Sequence, residues 1–267
     1  MTADSEHLLV ERHGPIVILT MNRPEVRNAF SPSMLGRMAD AWDEIDGDPD
    51  VRVAILTGAG GTFCAGADLK AMRSQPEPGD EYARRLRDNA EMAWKALLRH
   101  YRLRKPLIAA VEGYAVAGGT EILQATDIRV AGEGAIFGVT EVRRGLFPLG
   151  GSTVRLRRQI PYTKAMEILL TGDNLTAAEA LDLGLIGRVV PDGQALDEAL
   201  KIADRIARNG PLAVQAIKRS VQETEGLPET EALKIELEIG TPIFATEDAK
   251  EGPRAFAEKR EPRFTGR

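Results

Sequence analysis

Two glutamates are the residues of this sequence best placed to move protons. Glu121 lies in the segment Gly-Gly-Thr-Glu-Ile-Leu, and Glu141 follows 20 positions later in Phe-Gly-Val-Thr-Glu. An isolated glutamate is usually a solvated surface charge, but the apolar neighbours of Glu121 predict a partly buried side chain. Two carboxylates in different environments can divide the roles of general base and general acid. The pair therefore favours chemistry that needs both a base and an acid.

Other common catalytic arrangements are missing from the sequence. It contains no Gly-x-Ser-x-Gly, His-Glu-x-x-His or Gly-Lys-Ser/Thr motif, and Cys64 is its only cysteine. Two of the three histidines fall in an N-terminal hairpin and the third in a basic segment, which disfavours a histidine triad or a metal site. Gly58-Ala-Gly-Gly61 is better interpreted as a tight turn than as a dinucleotide loop, because Phe63 replaces the third glycine of that motif. Carboxylates remain the main acid–base candidates.

A second glycine-rich segment, Gly113-Tyr-Ala-Val-Ala-Gly-Gly-Thr-Glu121, joins a predicted strand to a predicted helix. The N–H groups at the start of a helix have no acceptor within it, and they favour negative charge. Gly118 has no side chain, so a ligand could approach its backbone closely. The same residues would equally suit a tight strand-to-helix turn, so the segment alone favours neither interpretation.

The order of strands and helices predicts an α/β fold. A hairpin of residues 8–12 and 16–21 comes first, and Ser31-Pro32 then begins a helix that ends near Gly47. Glycine-rich connections follow several of the later strands, and ligand sites in α/β proteins commonly lie in such connections. Further strands are predicted at 51–57, 107–111, 127–131 and 135–138, with a helix at 120–125. A capping box at Thr176, a helix within 192–208 and a helical region from Pro211 complete the chain.

Composition indicates an ordinary folded protein of 267 residues, with 43% hydrophobic and 28% charged residues. The net charge of −5 disfavours attraction of the whole surface to nucleic acid or to anionic lipid. The acidic N-terminus lacks the pattern of a signal peptide, and no apolar run is long enough to span a bilayer. With a single cysteine, no internal disulfide can form. We therefore expect a cytoplasmic protein without a membrane segment.

Several blocks along the chain resemble the enoyl-CoA hydratase (crotonase) family. They are Asn22-Arg-Pro24 with Asn28-Ala29, Phe63-Cys-Ala-Gly-Ala-Asp-Leu69, Gly113 to Glu121, Phe137 to Glu141, Gly145-Leu-Phe-Pro148, and the C-terminal Phe256-Ala-Glu-Lys-Arg260 and Phe264-Thr-Gly-Arg267. The resemblance implies a spiral of ββα units in residues 1–210 and a helical trimerisation region in residues 211–267. It implies assembly as a homotrimer or a dimer of trimers. The expected reaction is addition of water to a trans-2-enoyl-CoA in fatty-acid or related β-oxidation.

The resemblance also assigns roles to individual residues. It implies that the N–H groups of Ala67 and Gly118 form an oxyanion hole for the charge that develops on the thioester oxygen. Glu121 would orient and deprotonate the water, and Glu141 would hold the same water and supply the proton to C2. CoA is part of the substrate, and no metal or redox cofactor is implied. Residues expected to bind CoA are Arg27, Ala29, Ala65, Asp68 and Leu69, together with Phe256 and Lys259 from an adjacent subunit.

Three positions depart from the family pattern and put the shape of the pocket in doubt. Ala117 and Leu149 stand where glycine is common, and Thr140 replaces a proline. The segment 72–105 is longer than in compact members, which favours a bulky or branched acyl group as a hypothesis. Apolar residues at nearly helical spacing in this segment indicate core or a wall of the acyl pocket: Met92, Trp94, Leu97, Leu98 and Tyr101.

Two other functions stay open at this point. An enoyl-CoA isomerase is the nearest, because one glutamate suffices to move a proton between C2 and C4, although retention of both glutamates disfavours it. A CoA-binding or RNA-binding protein on the same scaffold is the alternative outside enzymes. It is motivated by residues 84–105, where eight Lys/Arg and two acidic residues give a formal charge of +6. A solvated helix, or one that faces CoA phosphates, is the preferred interpretation, so nucleic acid is not an expected partner.

Overall fold

A computed structural model describes residues 6–70, 73 and 79–267 of the protein. The chain opens with the predicted antiparallel hairpin, formed by β1 (Leu8–His13) and β2 (Ile16–Met21). Gly14 makes the turn with φ +58°, a conformation that glycine adopts without a steric penalty. The hairpin forms one edge of the larger sheet.

The larger sheet has six strands in the order β1-β2-β3-β4-β6-β9, and every pairing after the hairpin is parallel. The added strands are β3 (Val53–Gly58), β4 (Leu107–Val111), β6 (Ile128–Gly132) and β9 (Arg188–Val190). Helix α8 (Ala195–Ala207) covers one face with small residues, and the main core covers the other. Burial on both faces explains why β3 and β4 are continuous apolar runs rather than alternating ones.

A smaller sheet contains β5 (Tyr114–Val116), β7 (Ile136–Gly138) and β8 (Asn174–Thr176). The chain passes from β4 in the large sheet to β5 in the small one and then into α4 (Gly118–Leu123), and it repeats the step from β6 to β7. Each turn thus places one strand in each sheet. This arrangement confirms the predicted α/β spiral, although α4 begins two residues before the predicted start.

Helix α1 (Pro32–Gly47) has the predicted start and buried face. The Ser31 side chain accepts a hydrogen bond from the Met34 N–H at 3.1 Å, and Pro32 occupies the first turn. The Trp42 indole is fully buried and donates to the Ala96 carbonyl at 3.0 Å. That bond fixes α1 against the segment that ends at Ala96.

Two short helices, α2 (Glu81–Asp88) and α3 (Glu91–Ala96), pack on α1. The helical spacing predicted to continue through Tyr101 is wrong beyond Ala96, because Leu98 turns into the left-handed region with φ +52°. Leu98 is buried, and Met92, Leu97 and Tyr101 pack partly buried against the core, which supports the core interpretation. Met72, where the predicted segment began, lies outside the described residues.

The basic segment 84–105 pairs with acidic residues of α1. Arg85 forms two hydrogen bonds with the Asp40 carboxylate, and Lys95 and Arg104 form salt bridges with Asp43 and Asp46. Lys105 is buried, with its ammonium on backbone carbonyls of residues 48 and 51. These contacts give much of the +6 charge a structural role within the chain.

The chain from residue 152 onward is mainly helical. It contains α5 (Ser152–Gln159), α6 (Tyr162–Thr171), α7 (Ala177–Asp182), α9 (Pro211–Thr224), α10 (Glu229–Gly240) and α11 (Glu247–Ala257). The predicted capping box is present, with reciprocal hydrogen bonds between Thr176 and Glu179. Helix α9 has no buried residue. Large apolar side chains along this region are exposed: Ile217, Val221, Leu233, Leu237 and Phe244.

Candidate active site

The first part of the site is the turn between β5 and α4. Ala117 there has φ +51° and ψ −126°, which a residue with a Cβ rarely adopts. Its N–H donates to the Gly138 carbonyl at 2.8 Å, and the Thr120 hydroxyl donates to the same carbonyl at 3.0 Å. These bonds fix the turn against β7. Gly118 is the first residue of the helix, so its N–H has no acceptor within the helix.

The second part is the loop after Phe63, which lies against this turn. Cys64 exchanges backbone hydrogen bonds with β5, and Gly66 follows with φ +93°. A Cβ on Gly66 would lie 2.8 Å from the Ala117 Cβ and 3.1 Å from the Gly118 nitrogen. The backbone of the loop therefore touches the start of α4, and a side chain on Gly66 would separate them.

Ala67 lies at the surface of this loop. Phe30 pairs with its neighbours, since the Phe30 N–H donates to the Gly66 carbonyl at 2.8 Å and the Asp68 N–H donates to the Phe30 carbonyl at 3.0 Å. In a parallel bridge of this kind, the N–H of the residue between the two bonded groups points away from the partner strand. The N–H of Ala67 is thus unused in the bridge, one residue from the contact between Gly66 and Gly118.

Glu121 is buried on α4, as its sequence context predicted, with 4% of its surface exposed. Its carboxylate accepts hydrogen bonds from the Gly150 N–H at 2.9 Å and the Ser152 N–H at 3.1 Å. Those groups belong to the start of α5, where a negative charge is favoured. Burial raises the pKa of Glu121, and the backbone hydrogen bonds from Ser152 and Gly150 partly oppose that shift.

Glu141 begins a 3₁₀ turn that ends at Arg144. Its Oε2 atom is buried and has no hydrogen-bond partner among the described residues, although such an acceptor is costly to leave unpaired. Burial raises the pKa of Glu141 to about 7, and repulsion by the nearby charge of Glu121 adds to the shift. The two carboxylates are therefore neighbours in unlike environments, one bound by N–H groups and one left unpaired.

The structure also brings together five of the residues that the resemblance assigned to CoA: Arg27, Ala29, Ala65, Asp68 and Leu69. The Ala65 N–H donates to the Arg27 carbonyl at 2.9 Å, which places the segment 27–30 beside the segment 65–68. Arg23 links the two segments, with its guanidinium on the Ala29 carbonyl at 2.8 Å and on the Asp68 carboxylate at 2.9 Å. Leu69 is half exposed beyond them.

Phe256 and Lys259 lie at the other end of the chain, on and just after α11. The Phe256 ring is 87% exposed, and Lys259 is exposed in the left-handed conformation with φ +54°. Neither side chain is therefore enclosed by other residues of the chain.

A match to a family model decides the family. The model described as enoyl-CoA hydratase/isomerase matches residues 11–267. The chain belongs to the enoyl-CoA hydratase/isomerase family. The resemblance stated from the sequence blocks is confirmed.

Relatives within this family are named for hydration of CoA esters. The chain is 61% identical to enoyl-CoA hydratase EchA19 of Mycobacterium tuberculosis over 97% of this chain and 96% of that protein. It is 36% identical to 2,3-dehydroadipyl-CoA hydratase of Escherichia coli over 97% and 99% of the two chains.

Solved structures of the family share the fold. Enoyl-CoA hydratase EchA1 from Mycobacterium marinum superposes with a TM-score of 0.89 at 45% identity, over 98% of this chain and 100% of that one. The enoyl-CoA hydratase from Bacillus anthracis gives a TM-score of 0.89 at 34% identity with the same coverage. The predicted crotonase-like fold is confirmed.

The sequence did not indicate the residues that hold the loop before α5. Arg99 donates to the Leu149 carbonyl at 2.8 Å, and Arg155 donates to the carbonyls of Gly150 and Leu98. Leu149 stands where glycine is common in the family, but its φ is not positive, so this position does not require a glycine conformation. No local pattern could have separated Arg155 from its neighbours, because Arg157 and Arg158 lie in the same short helix and are solvent-exposed.

Substitution of Ala117 by glycine should stabilise the protein. The φ of +51° costs an alanine about 1–3 kcal/mol, and glycine removes this strain at an entropic cost of about 0.5–1 kcal/mol. We expect the free energy of unfolding of Ala117→Gly to rise by about 1 kcal/mol, measured by urea denaturation. Ala115→Gly, in the buried strand next to it, should lower that free energy. Loss of stability in both variants would show that Ala117 is not strained.

The buried carboxyl of Glu141 should make stability depend on pH. A carboxyl whose pKa is raised to about 7 contributes fully below its unfolded pKa of 4.5, and this contribution is lost as the pH rises through 7. Glu141→Gln cannot ionise, so its melting temperature should exceed that of the wild type increasingly from pH 5 to pH 8. The corresponding free energy is of the order of 3 kcal/mol, at about 1.4 kcal/mol per pH unit. Glu133→Gln, at an exposed position, is the control, and a difference for Glu141→Gln that stays constant with pH would contradict the assignment.

Proposed function

We propose that this protein adds water to the C2–C3 double bond of 2-enoyl-CoA thioesters, with Glu121 and Glu141 acting on one water molecule. The observation that carries the proposal is a pair of neighbouring carboxylates in unlike environments, one of them on the helix that begins at Gly118. The class of reaction is that of the named hydratase relatives, one of them 61% identical over nearly the whole chain.

The N–H groups of Ala67 and Gly118 would act on the thioester. When water attacks C3, the electrons of the double bond move towards the thioester carbonyl, and its oxygen becomes negative. Donors fixed in advance at that oxygen stabilise the transition state without reorganisation. The close approach of Gly66 to Gly118 supports this role, because it holds the two loops in contact.

The different surroundings of the glutamates suggest how the roles are divided. Glu121 accepts two backbone hydrogen bonds, which stabilise a carboxylate and suit a base that takes a proton from water. Glu141, with its pKa raised to about 7, keeps a proton near neutral pH and can give it to C2. The oxygen of water then bonds to C3, and the product is a 3-hydroxyacyl-CoA.

CoA binding is assigned to the paired segments 27–29 and 65–69. Arg27, Ala29, Ala65, Asp68 and Leu69 would line the channel, with the guanidinium of Arg27 held 5.1 Å from the centre of the Tyr114 ring. Asp68 is bound to Arg23, so its role would be to hold the channel rather than to meet a phosphate. Phe256 and Lys259 would reach CoA from an adjacent subunit.

The isomerase and binding-protein alternatives receive less support. Isomerisation needs one carboxylate, and this chain keeps two beside one another. An RNA-binding surface on residues 84–105 would need free cations, whereas Arg85, Lys95 and Arg104 form salt bridges with α1. We therefore retain hydration as the single proposed activity.

The remaining parts of the proposal concern cofactor, place and pathway. We propose that the reaction uses no metal or redox cofactor, takes place in the cytoplasm, and serves fatty-acid or related β-oxidation. In residues 6–70, 73 and 79–267, no three His, Cys, Asp or Glu side chains are grouped to hold a metal ion. Over the same residues, no helix has the length and apolar character to cross a membrane.

Substitution of either glutamate should abolish hydration. Loss of the conjugated-thioester absorbance would be followed for short and long 2-enoyl-CoA substrates with the wild type, Glu121→Gln and Glu141→Gln. We expect each variant to lose about 10²–10⁴-fold in kcat, the contribution usual for a positioned acid or base, while Glu133→Gln keeps wild-type activity. Active glutamine variants, or a wild type that only converts 3-enoyl-CoA to 2-enoyl-CoA, would overturn the proposal.

We also propose a homotrimer or a dimer of trimers, with a core of residues 1–210 and a trimerisation region of residues 211–267. Exposed apolar side chains on α9 and α10 would be covered in such an assembly, which supports the proposal. Sedimentation should give a species at least three times the 29.0 kDa chain mass. Lys259→Met should raise the KM for CoA esters several-fold, and Lys250→Met, on the preceding helix α11, should not. A stable active monomer would contradict both the assembly and the roles of Phe256 and Lys259.

A further inference from the structure

The catalytic role proposed for Glu121 depends on a loop that two arginines hold. Residues 149–152 precede and begin α5, and the N–H groups of Gly150 and Ser152 donate to the Glu121 carboxylate. A Cβ on Gly150 would lie 2.6 Å from Glu121 Oε2, so the carboxylate lies directly against the loop backbone. Any displacement of the loop would therefore move the carboxylate or break its hydrogen bonds.

The loop carbonyls point away from Glu121 to the two arginines. Arg99, just beyond α3, donates from Nε to the Leu149 carbonyl at 2.8 Å. Arg155, in the second turn of α5, donates from Nη1 to the Gly150 carbonyl at 3.3 Å and from Nη2 to the Leu98 carbonyl. Arg99, which follows α3, thus contacts the loop, and Arg155, which follows the loop, contacts both the loop and the end of α3.

The guanidinium of Arg155 packs against the 149–152 loop at Gly150 and Gly151. Gly151 has φ +125°, and a Cβ there would lie 3.2 Å from Arg155 Nη1. Burial lowers the pKa of Arg155, and the negative charge of Glu121 opposes that shift, so the two charges interact. Arg158, one turn further along α5, instead lies at the surface and pairs with Glu225.

We propose that Arg155 is a positioning residue for hydration: it fixes the 149–152 loop to the end of α3 and thereby holds the Glu121 carboxylate in place. The inference rests on the proposed function of Glu121 and goes beyond it, because Arg155 would act through the loop rather than on the substrate. Arg99 supports the same loop through the Leu149 carbonyl.

The charge of Arg155 should affect the pH profile of activity, which a residue that only packs against the loop would not do. Charged groups around the site include Arg155 from α5, Glu141 from the 3₁₀ turn with Arg144 beside it, and Arg99, Arg102 and Glu225 around Arg155. Among these, Arg155 contributes a positive charge that favours the carboxylate form of Glu121. Its removal should shift the acidic limb of the pH profile of kcat/KM to higher pH, because more of the base would then be protonated.

The test compares Arg155→Met, Arg155→Lys and the surface control Arg158→Met in the full-length protein. We expect Arg155→Met to lose about 10–100-fold in kcat, as for a small misplacement of a catalytic group, with KM changed less than threefold and the acidic limb moved upwards. Arg155→Lys should recover part of kcat and most of the pH profile, since it restores the charge but only one of the two bonds. Arg158→Met should match the wild type.

Two results would overturn the inference without affecting the proposed function. One is an Arg155→Met variant with wild-type kcat and pH profile while Glu121→Gln is inactive. The other, useful if Arg155→Met does not fold, is a folded Arg155→Lys variant whose melting temperature falls while its kcat and pH profile stay at the wild-type values, which would show that the contacts of Arg155 stabilise the fold without positioning Glu121. An active Glu121→Gln variant would instead refute the proposed function itself.

Discussion

A carboxylate costs free energy to bury, and the centre of this protein is arranged around the one that is most buried. Glu121 is bound by the N–H groups of Gly150 and Ser152, which replace part of the water that burial removes. Those donors are available only because α5 begins there and leaves its first N–H groups unpaired. The start of one helix thus provides the partner for a side chain on another. Two attachments set the relative position of α4 and the start of α5. Helix α4 follows β5 of the small sheet, and the loop of residues 149–152 before α5 is held to the end of α3.

The same region is limited by how closely backbones approach one another. A Cβ on Gly119 would lie 2.3 Å from the Cys64 carbonyl oxygen, and one on Gly66 would meet Ala117 and Gly118. Small residues are therefore required where the two loops meet, whatever the substrate. Ala117 is the exception to the glycine pattern, and its methyl group is accommodated only because Gly66 has none. The absence of a side chain on Gly66 thus explains how alanine can replace glycine at position 117. The Ala117 methyl group narrows the space beside Gly118.

Local pattern was enough to predict most strands and the first helix, because each is defined by neighbours in the sequence. The hairpin at Gly14, the Ser31 cap and the Thr176 capping box all lie where their residue types indicated. Prediction failed where contacts are remote: α3 ends at Ala96 because Leu98 must present its carbonyl to Arg155, which lies 57 positions away. The salt bridges between the basic segment 84–105 and α1 could not be predicted from local sequence either, because their partners are also remote in the sequence. Within the candidate site, the sequence motifs indicated the two glutamates and the glycine-rich loops. The contacts of Arg99 and Arg155 with the 149–152 loop became evident only from the three-dimensional structure.

The proposed mechanism also explains why two carboxylates of unlike surroundings can share one buried site. In the forward reaction the protonated Glu141 gives its proton to C2 while Glu121 takes one from water, so the pair carries a single negative charge before and after the step. A second charge would add the cost of desolvation and repulsion between the two carboxylates, and these two effects raise the pKa of Glu141 to about 7. Hydrogen bonds to both carboxylates would stabilise the doubly ionised state and remove the acid. Burial of Glu141, which raises its pKa to about 7, would therefore keep it partly protonated near neutral pH, at the expense of stability above that pH.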